Sequence, residues 1–227
     1  MSFSALKHYF NHTISTRFLK VLLLIDVMFI LGHTLITVFH KDEFKGFLLD
    51  TQELGFPEYF QYIKYLMAIA LTTYVIIKKQ IEYWPFLCLF LFLFIDDVFQ
   101  IHNRASWFFS SNLKLPSLFF GKLIFLGIIG LLETLFISFF YRTASLETKS
   151  TYKDIFLLLI LFFFFGIAID LIHSFLLNTG KIAPFLTLIE EGGEMITLSI
   201  LVWYFFVITL YKKKKTHFIH ELLMNKH

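Results

Sequence analysis

A single cysteine, Cys88, stands in this 227-residue chain, so neither an intrachain disulfide nor a cysteine-based zinc site can form within it. Several familiar catalytic signatures are also missing. There is no Gly-x-Ser-x-Gly elbow, no P-loop and no His-Glu-x-x-His motif, and the repeated His-x-x-x-His boxes expected of a membrane desaturase are absent. The formal net charge is only +3, and the basic residues gather at the ends of apolar segments rather than along a stripe interleaved with aromatics. That distribution argues against nucleic acid as a partner. No internal repeat is visible. An inverted three-plus-three transporter would carry the acids of its two halves on opposite sides, whereas here the third and sixth segments carry theirs on the same side.

What the chain has in abundance is apolar surface. Hydrophobic residues make up 57% of it, 32 of its residues are Phe, and its mean hydropathy is +0.71. A water-soluble domain carries roughly 45–50% apolar residues, so this composition points to an integral membrane protein. Six stretches are long enough to cross a hydrocarbon core of about 30 Å as helices: 19–39, 59–77, 84–101, 117–140, 155–177 and 185–210. Lys64 falls one turn inside the second, where snorkelling toward the interface would relieve its cost. The first stretch is too long for a signal-peptide core and lacks a small-residue cleavage site, so it reads as a retained anchor. The expectation is an all-α integral membrane bundle of six transmembrane helices, a single domain over 1–227.

Basic residues set an orientation. Lys7, Arg17, Lys20, Lys78, Lys79, Arg142, Lys149, Lys153 and Lys212 to Lys215 all fall on one side of an even-numbered bundle. The first opposite loop carries Asp42, Glu43, Asp50, Glu53 and Glu58. By the positive-inside rule both termini are cytoplasmic, with 1–18 and the basic tail 211–227 inside. The setting is a plasma membrane or bacterial inner membrane. His217, His220 and His227 belong to that tail, and His40 reads as interfacial.

Orientation turns scattered polar residues into a layer near the extracytoplasmic face. Asp96, Asp97, Glu190 and Glu191 fall about 6 Å below the outer edge, and His33 and Asp170 about 10 Å below it. With His102, His173 and Glu194 they make nine ionisable side chains within apolar segments. A charge in hydrocarbon costs at least roughly 2.5–3.5 kcal/mol, so such a layer implies a function. Asp170 and His173 have the carboxylate-x-x-His spacing of dinuclear bundle proteins, and Glu190 and Glu194 share a helix face. Six carboxylates this close must bind cations, share protons or lie in water. The metal-ligand candidates are therefore Asp97, His102, Asp170, His173, Glu191, Glu194 and His33. Asp96 and Glu190 are the spare carboxylates for catalysis. The scarcity of sulfur favours Fe, Mn or Zn over Cu(I) as the divalent metal. His102 reads equally well as the first residue of an outer loop.

Gly192 and Gly193 lower helix propensity between these acids, which would be repaid by close approach of a neighbouring helix. The alternative is a helix that begins only after Gly193. Deeper in, Asp26 and Glu133 reach a common level about 10 Å above the cytoplasmic edge and form a candidate proton relay. Asp26, His33, Thr37 and His40 share one polar stripe.

The leading expectation is a metalloenzyme, hydrolytic or redox, acting on a membrane lipid or other hydrophobic molecule. Trp107, Phe108 and Phe109 would guide the lipid or act as plain interfacial anchors. A divalent-cation or proton-coupled transporter or channel is the alternative, and a non-catalytic membrane subunit is the third reading. Nothing in the sequence sets an oligomeric state.

Overall fold

The computed structural model describes residues 13–39, 55–78, 81–170, 172 and 183–210. Among these residues the chain is helical, without strands. The elements are α1 (Thr13–Phe39), α2 (Phe56–Ile77), a 3-10 turn (Ile81–Tyr83), α3 (Trp84–Phe99), α4 (Ile101–Asn112), α5 (Leu118–Thr143), α6 (Leu146–Phe163), a π turn (Phe164–Ile169) and α7 (Ala183–Leu210). Five helices are long and apolar enough to cross a membrane, and the count becomes six if α3 and α4, bent by 75° at their junction, are one broken span. Residues 1–12 and 211–227 of the proposed cytoplasmic ends, His40, His173 and most of the acidic first loop lie outside the described residues.

Burial follows the logic of a lipid-facing protein. On α1, Leu24, Met28, Leu31, Leu35 and Val38 are exposed, while Ser15, Leu22, Asp26 and His33 on the opposite stripe are buried. A soluble helix would turn the apolar stripe inward, so the pattern fits a lipid solvent. In α5 only Gly121 is buried, and Leu131, Leu132, Leu135 and Phe139 are exposed. Apolar side chains exposed over a whole helix demand an apolar surrounding.

The described chain divides into two compact units, residues 1–64 with 146–227, and residues 65–145. In the first, α1, α6 and the π turn pack against α7, whose Met195, Leu198, Leu201, Val202 and Phe205 are almost wholly buried. Small-against-large contacts set this packing. The Phe165 ring covers Gly193, the Glu194 carboxyl covers Gly166 in the π turn, and Ile30 lies 3.2 Å from where a Gly192 Cβ would stand. The close approach expected at the glycine pair is thus realised, and α7 begins at Ala183, which places Glu190 and Glu191 within the helix. Near the other end of this unit the Tyr204 hydroxyl donates to Asp154 Oδ2 at 2.8 Å, both side chains being buried.

In the second unit α3 stops at Gln100, whose left-handed backbone (φ 48°, ψ 47°) turns the chain. Left-handed geometry at a residue with a Cβ costs about 1–2 kcal/mol, so local bonds must hold it. They do: Asp96 Oδ1 accepts the His102 backbone N–H at 2.8 Å, and the Gln100 carbonyl accepts the N–H groups of Asn103 and Arg104. A side-chain oxygen thereby satisfies one of the orphan donors of the new helix start. The short, polar α4 then packs on α5 at Gly121, where any Cβ would strike the Ser106 carbonyl. Ser106 and Ser110 hydroxyls donate to the Leu118 and Ser117 carbonyls at 2.5 and 3.1 Å.

Candidate functional site

The most completely built polar centre lies in the first unit around Lys64. The α2 helix starts at Phe56, so eight residues, or about 12 Å of helical rise, precede this lysine. Its side chain is 0% exposed, as is that of Asp26. The snorkelling expected from the sequence does not occur. Instead the ammonium donates to Asp26 Oδ1 at 2.9 Å, to the Met195 carbonyl at 2.8 Å and, over a longer 3.4 Å, to Ser199 Oγ. Ser199 in turn donates its hydroxyl hydrogen to Asp26 Oδ2 at 2.5 Å.

Three helices supply these groups. Asp26 comes from the buried stripe of α1, Lys64 from α2, and Met195 with Ser199 from one turn of α7. The Met195 carbonyl stands one helical turn before Ser199, so the two oxygens line up along a single face. The Phe60 ring, one turn before Lys64, lies 4.9 Å from the ammonium and adds a cation–π contact. An ammonium has three hydrogens to give, and here each has an acceptor. That matters because an uncompensated buried charge costs several kcal/mol, which a partner and full hydrogen bonding offset. Glu194, next in sequence to Met195, also acts on Lys64 electrostatically.

The proton-relay partner expected for Asp26 was Glu133. Both oxygens of Asp26 are engaged, by Lys64 and Ser199. Glu133 belongs to the second unit, where its Oε2 is buried without a hydrogen bond among the described residues and where it acts electrostatically on Cys88.

A second polar pair sits at the α3–α4 bend. Asp96, which is 7% exposed, places Oδ2 3.0 Å from His102 Nδ1 while its other oxygen caps α4. A carboxylate on Nδ1 fixes the ring's orientation and favours the tautomer whose Nε2 carries the lone pair, as in carboxylate–imidazole arrangements around metals. Asp96 is therefore a positioning group for His102. His102 lies in the first turn of α4 rather than in a loop. Asp97, beside it in α3, is half-buried.

The other sequence candidates fall in the first unit. His33 is buried on α1, Asp170 follows the π turn, and Glu190, Glu191 and Glu194 lie half-buried on α7. Asp154 meets Tyr204 and Gly166 meets Glu194, an antiparallel register that carries Asp170 toward the turn holding Glu190. Among the described residues no three His, Cys, Asp or Glu side chains converge closely enough to hold a metal ion. His173, the partner proposed for Asp170, lies outside them.

Sequence reasoning missed Lys64 as a site residue and missed Ser199 altogether. The available signal was the pairing of one lysine and one aspartate in neighbouring apolar segments. A sequence model for a domain of unknown function, DUF8692, matches residues 21–210, a span that includes the whole Lys64 centre and the Asp96–His102 pair. No curated protein matches the chain, and no solved structure does.

Proposed function

We propose that this chain, which belongs to the DUF8692 family, is a proton-coupled membrane transporter whose central site is the Lys64–Asp26–Ser199 network. The observation that carries this reading is the wholly buried ammonium held by oxygens from two further helices. Ionisable groups deep in membrane segments are costly and mark proton relays and ion pathways in pumps and transporters. A proton on Lys64 has an acceptor 2.9 Å away in Asp26 Oδ1, and Ser199 links the other carboxylate oxygen to α7. In this reading α3 is the sixth span, α4 lies near the interface, and both termini are cytoplasmic. His33, two turns along the buried stripe of α1 from Asp26, continues the polar path within the first unit.

The test is proton movement in liposomes carrying the purified full chain and an internal pH-sensitive dye. An imposed cation gradient is expected to drive proton flux in wild type, and Lys64→Met and Asp26→Asn are expected to abolish it. Flux in Asp26→Asn equal to wild type would overturn the assignment.

A second reading, the metal-dependent membrane enzyme, is favoured by the Asp96–His102 arrangement, which presents an oriented imidazole. In that reading His102 and Asp97 are the candidate ligands of the second unit. His33, Asp170, His173, Glu191 and Glu194 are those of the first, with Glu190 as a spare base, Fe, Mn or Zn as the metal, and a lipid or other hydrophobic molecule as substrate. Bound metal would supply a Lewis acid or an activated water. Elemental analysis of chelator-free protein tests it: two equivalents of one metal support it, and none under metal supplementation removes it.

A further inference from the structure

Three oxygens converge on the Lys64 ammonium: one carboxylate oxygen, one main-chain carbonyl and one hydroxyl, at 2.9, 2.8 and 3.4 Å. All are hard acceptors, they come from α1 and α7, and they surround a single point. The nitrogen at that point is a cation on a tether. We propose that the cradle of Asp26 Oδ1, the Met195 carbonyl and Ser199 Oγ is a site for a small monovalent cation, which takes the place of the Lys64 ammonium in exchange for one proton. This rests on the transport reading and names its co-substrate.

The argument is one of charge and of acceptors. Asp26 and Lys64 together sum to zero, and a net charge left in a dry interior costs several kcal/mol. When the Nζ–H bond breaks, its electron pair stays on nitrogen, the proton leaves to water, and the site becomes negative by one. A monovalent ion restores the sum, whereas a divalent ion would leave one positive charge over. Moving the proton to Asp26 Oδ1 would also restore neutrality and leave the amine two N–H groups for the Met195 and Ser199 acceptors, but that internal transfer releases no proton to water and admits no ion. A cation satisfies all three converging acceptors. The charged groups that act on Lys64 are Asp26 from α1 and Glu194 from α7. Exchange of one positive charge for another leaves their sum unchanged whatever state Glu194 holds. One proton therefore leaves for each cation that enters, and the exchange is electroneutral.

Pulses of NaCl, LiCl, MgCl2, MnCl2 or choline chloride at fixed ionic strength, added to weakly buffered purified protein at alkaline pH, read the exchange directly. Sodium or lithium is expected to release about one proton per chain by linkage, and choline none. Lys64→Ala should release none, yet NaCl should raise its Tm where choline chloride does not, and Asp26→Asn added to it should erase that rise. Release by magnesium or manganese but not by sodium or lithium would overturn the monovalent site and leave proton-coupled transport standing. No release with any salt would overturn the cation site, while the liposome flux judges proton-coupled transport separately, and the release measurement needs only the wild-type protein should Lys64→Ala fail to fold.

Discussion

Replacing Lys64 with Met removes the positive member of a buried pair while keeping an unbranched side chain of nearly the same reach. Asp26 then keeps its bond from Ser199 but loses its counter-ion in a position with 0% exposure. Two magnitudes compete. Neutral side-chain hydrogen bonds between membrane helices average only about 0.6 kcal/mol, because the unfolded chain in lipid finds substitutes. Leaving one charge of a buried ion pair without its partner costs about 3–5 kcal/mol. The second applies here, so Lys64→Met is expected to lose about 3–5 kcal/mol, and Asp26→Leu a similar amount. The double variant removes both charges and should return to within about 1 kcal/mol of wild type, since apolar replacement of a whole buried pair is close to neutral. Equilibrium unfolding in mixed micelles, followed by tryptophan fluorescence, closes the cycle. A Lys64→Met loss below about 1 kcal/mol, with no recovery in the double variant, would show that the trio behaves as ordinary hydrogen bonds.

Gly121→Ala should destabilise the second unit by about 1–3 kcal/mol, because the new Cβ meets the Ser106 main-chain carbonyl, which cannot swing away; thermal unfolding reads it. Asp96→Asn should release the His102 ring from its fixed orientation and, in the enzyme reading, lower metal retention by roughly 10–100-fold, measured by elemental analysis after dialysis. Orientation is checked by single cysteines at Ser111 and Leu146, the latter 88% exposed, in a Cys88→Ser background. Ser111 should label from outside intact cells and Leu146 only from inside, and labelling of both from outside would reverse the topology.

The apolar segments were legible because hydrocarbon demands about 20 uninterrupted apolar residues, and each of the six stretches overlaps an observed helix. Their ends were less so, and the ends carried the site. Hydropathy placed the start of the second stretch at Tyr59, one turn before Lys64, but the helix begins at Phe56 and the lysine is buried against α1 and α7. The fifth stretch was begun at Ile155 because Glu147, Lys149, Lys153 and Asp154 depress hydropathy, yet α6 runs from Leu146 and Asp154 is buried against Tyr204. The third was read as one helix through Ile101. The break at Gln100 depends on an Asp96 side chain reaching forward six residues to cap α4, a contact that no helical periodicity reports. The glycine pair was readable because glycine inside a helix is unfavourable unless something occupies the space above it.

The reciprocal contacts of Phe165 on Gly193 and Glu194 on Gly166 act like meshed gear teeth. Sliding α7 along the π turn by one residue would set the Glu194 carboxyl against Phe165 or Ile167, both of which carry a Cβ, so this pair of elements resists shear in small steps and is expected to move as one body. Met195 and Ser199 ride on that body and form a fixed jaw. Lys64, by contrast, is a long side chain on another helix. Opening the cradle is therefore expected to fall to rotation of the lysine stem and displacement of the first turns of α2, with α7 as the stationary stator against which the stroke is made.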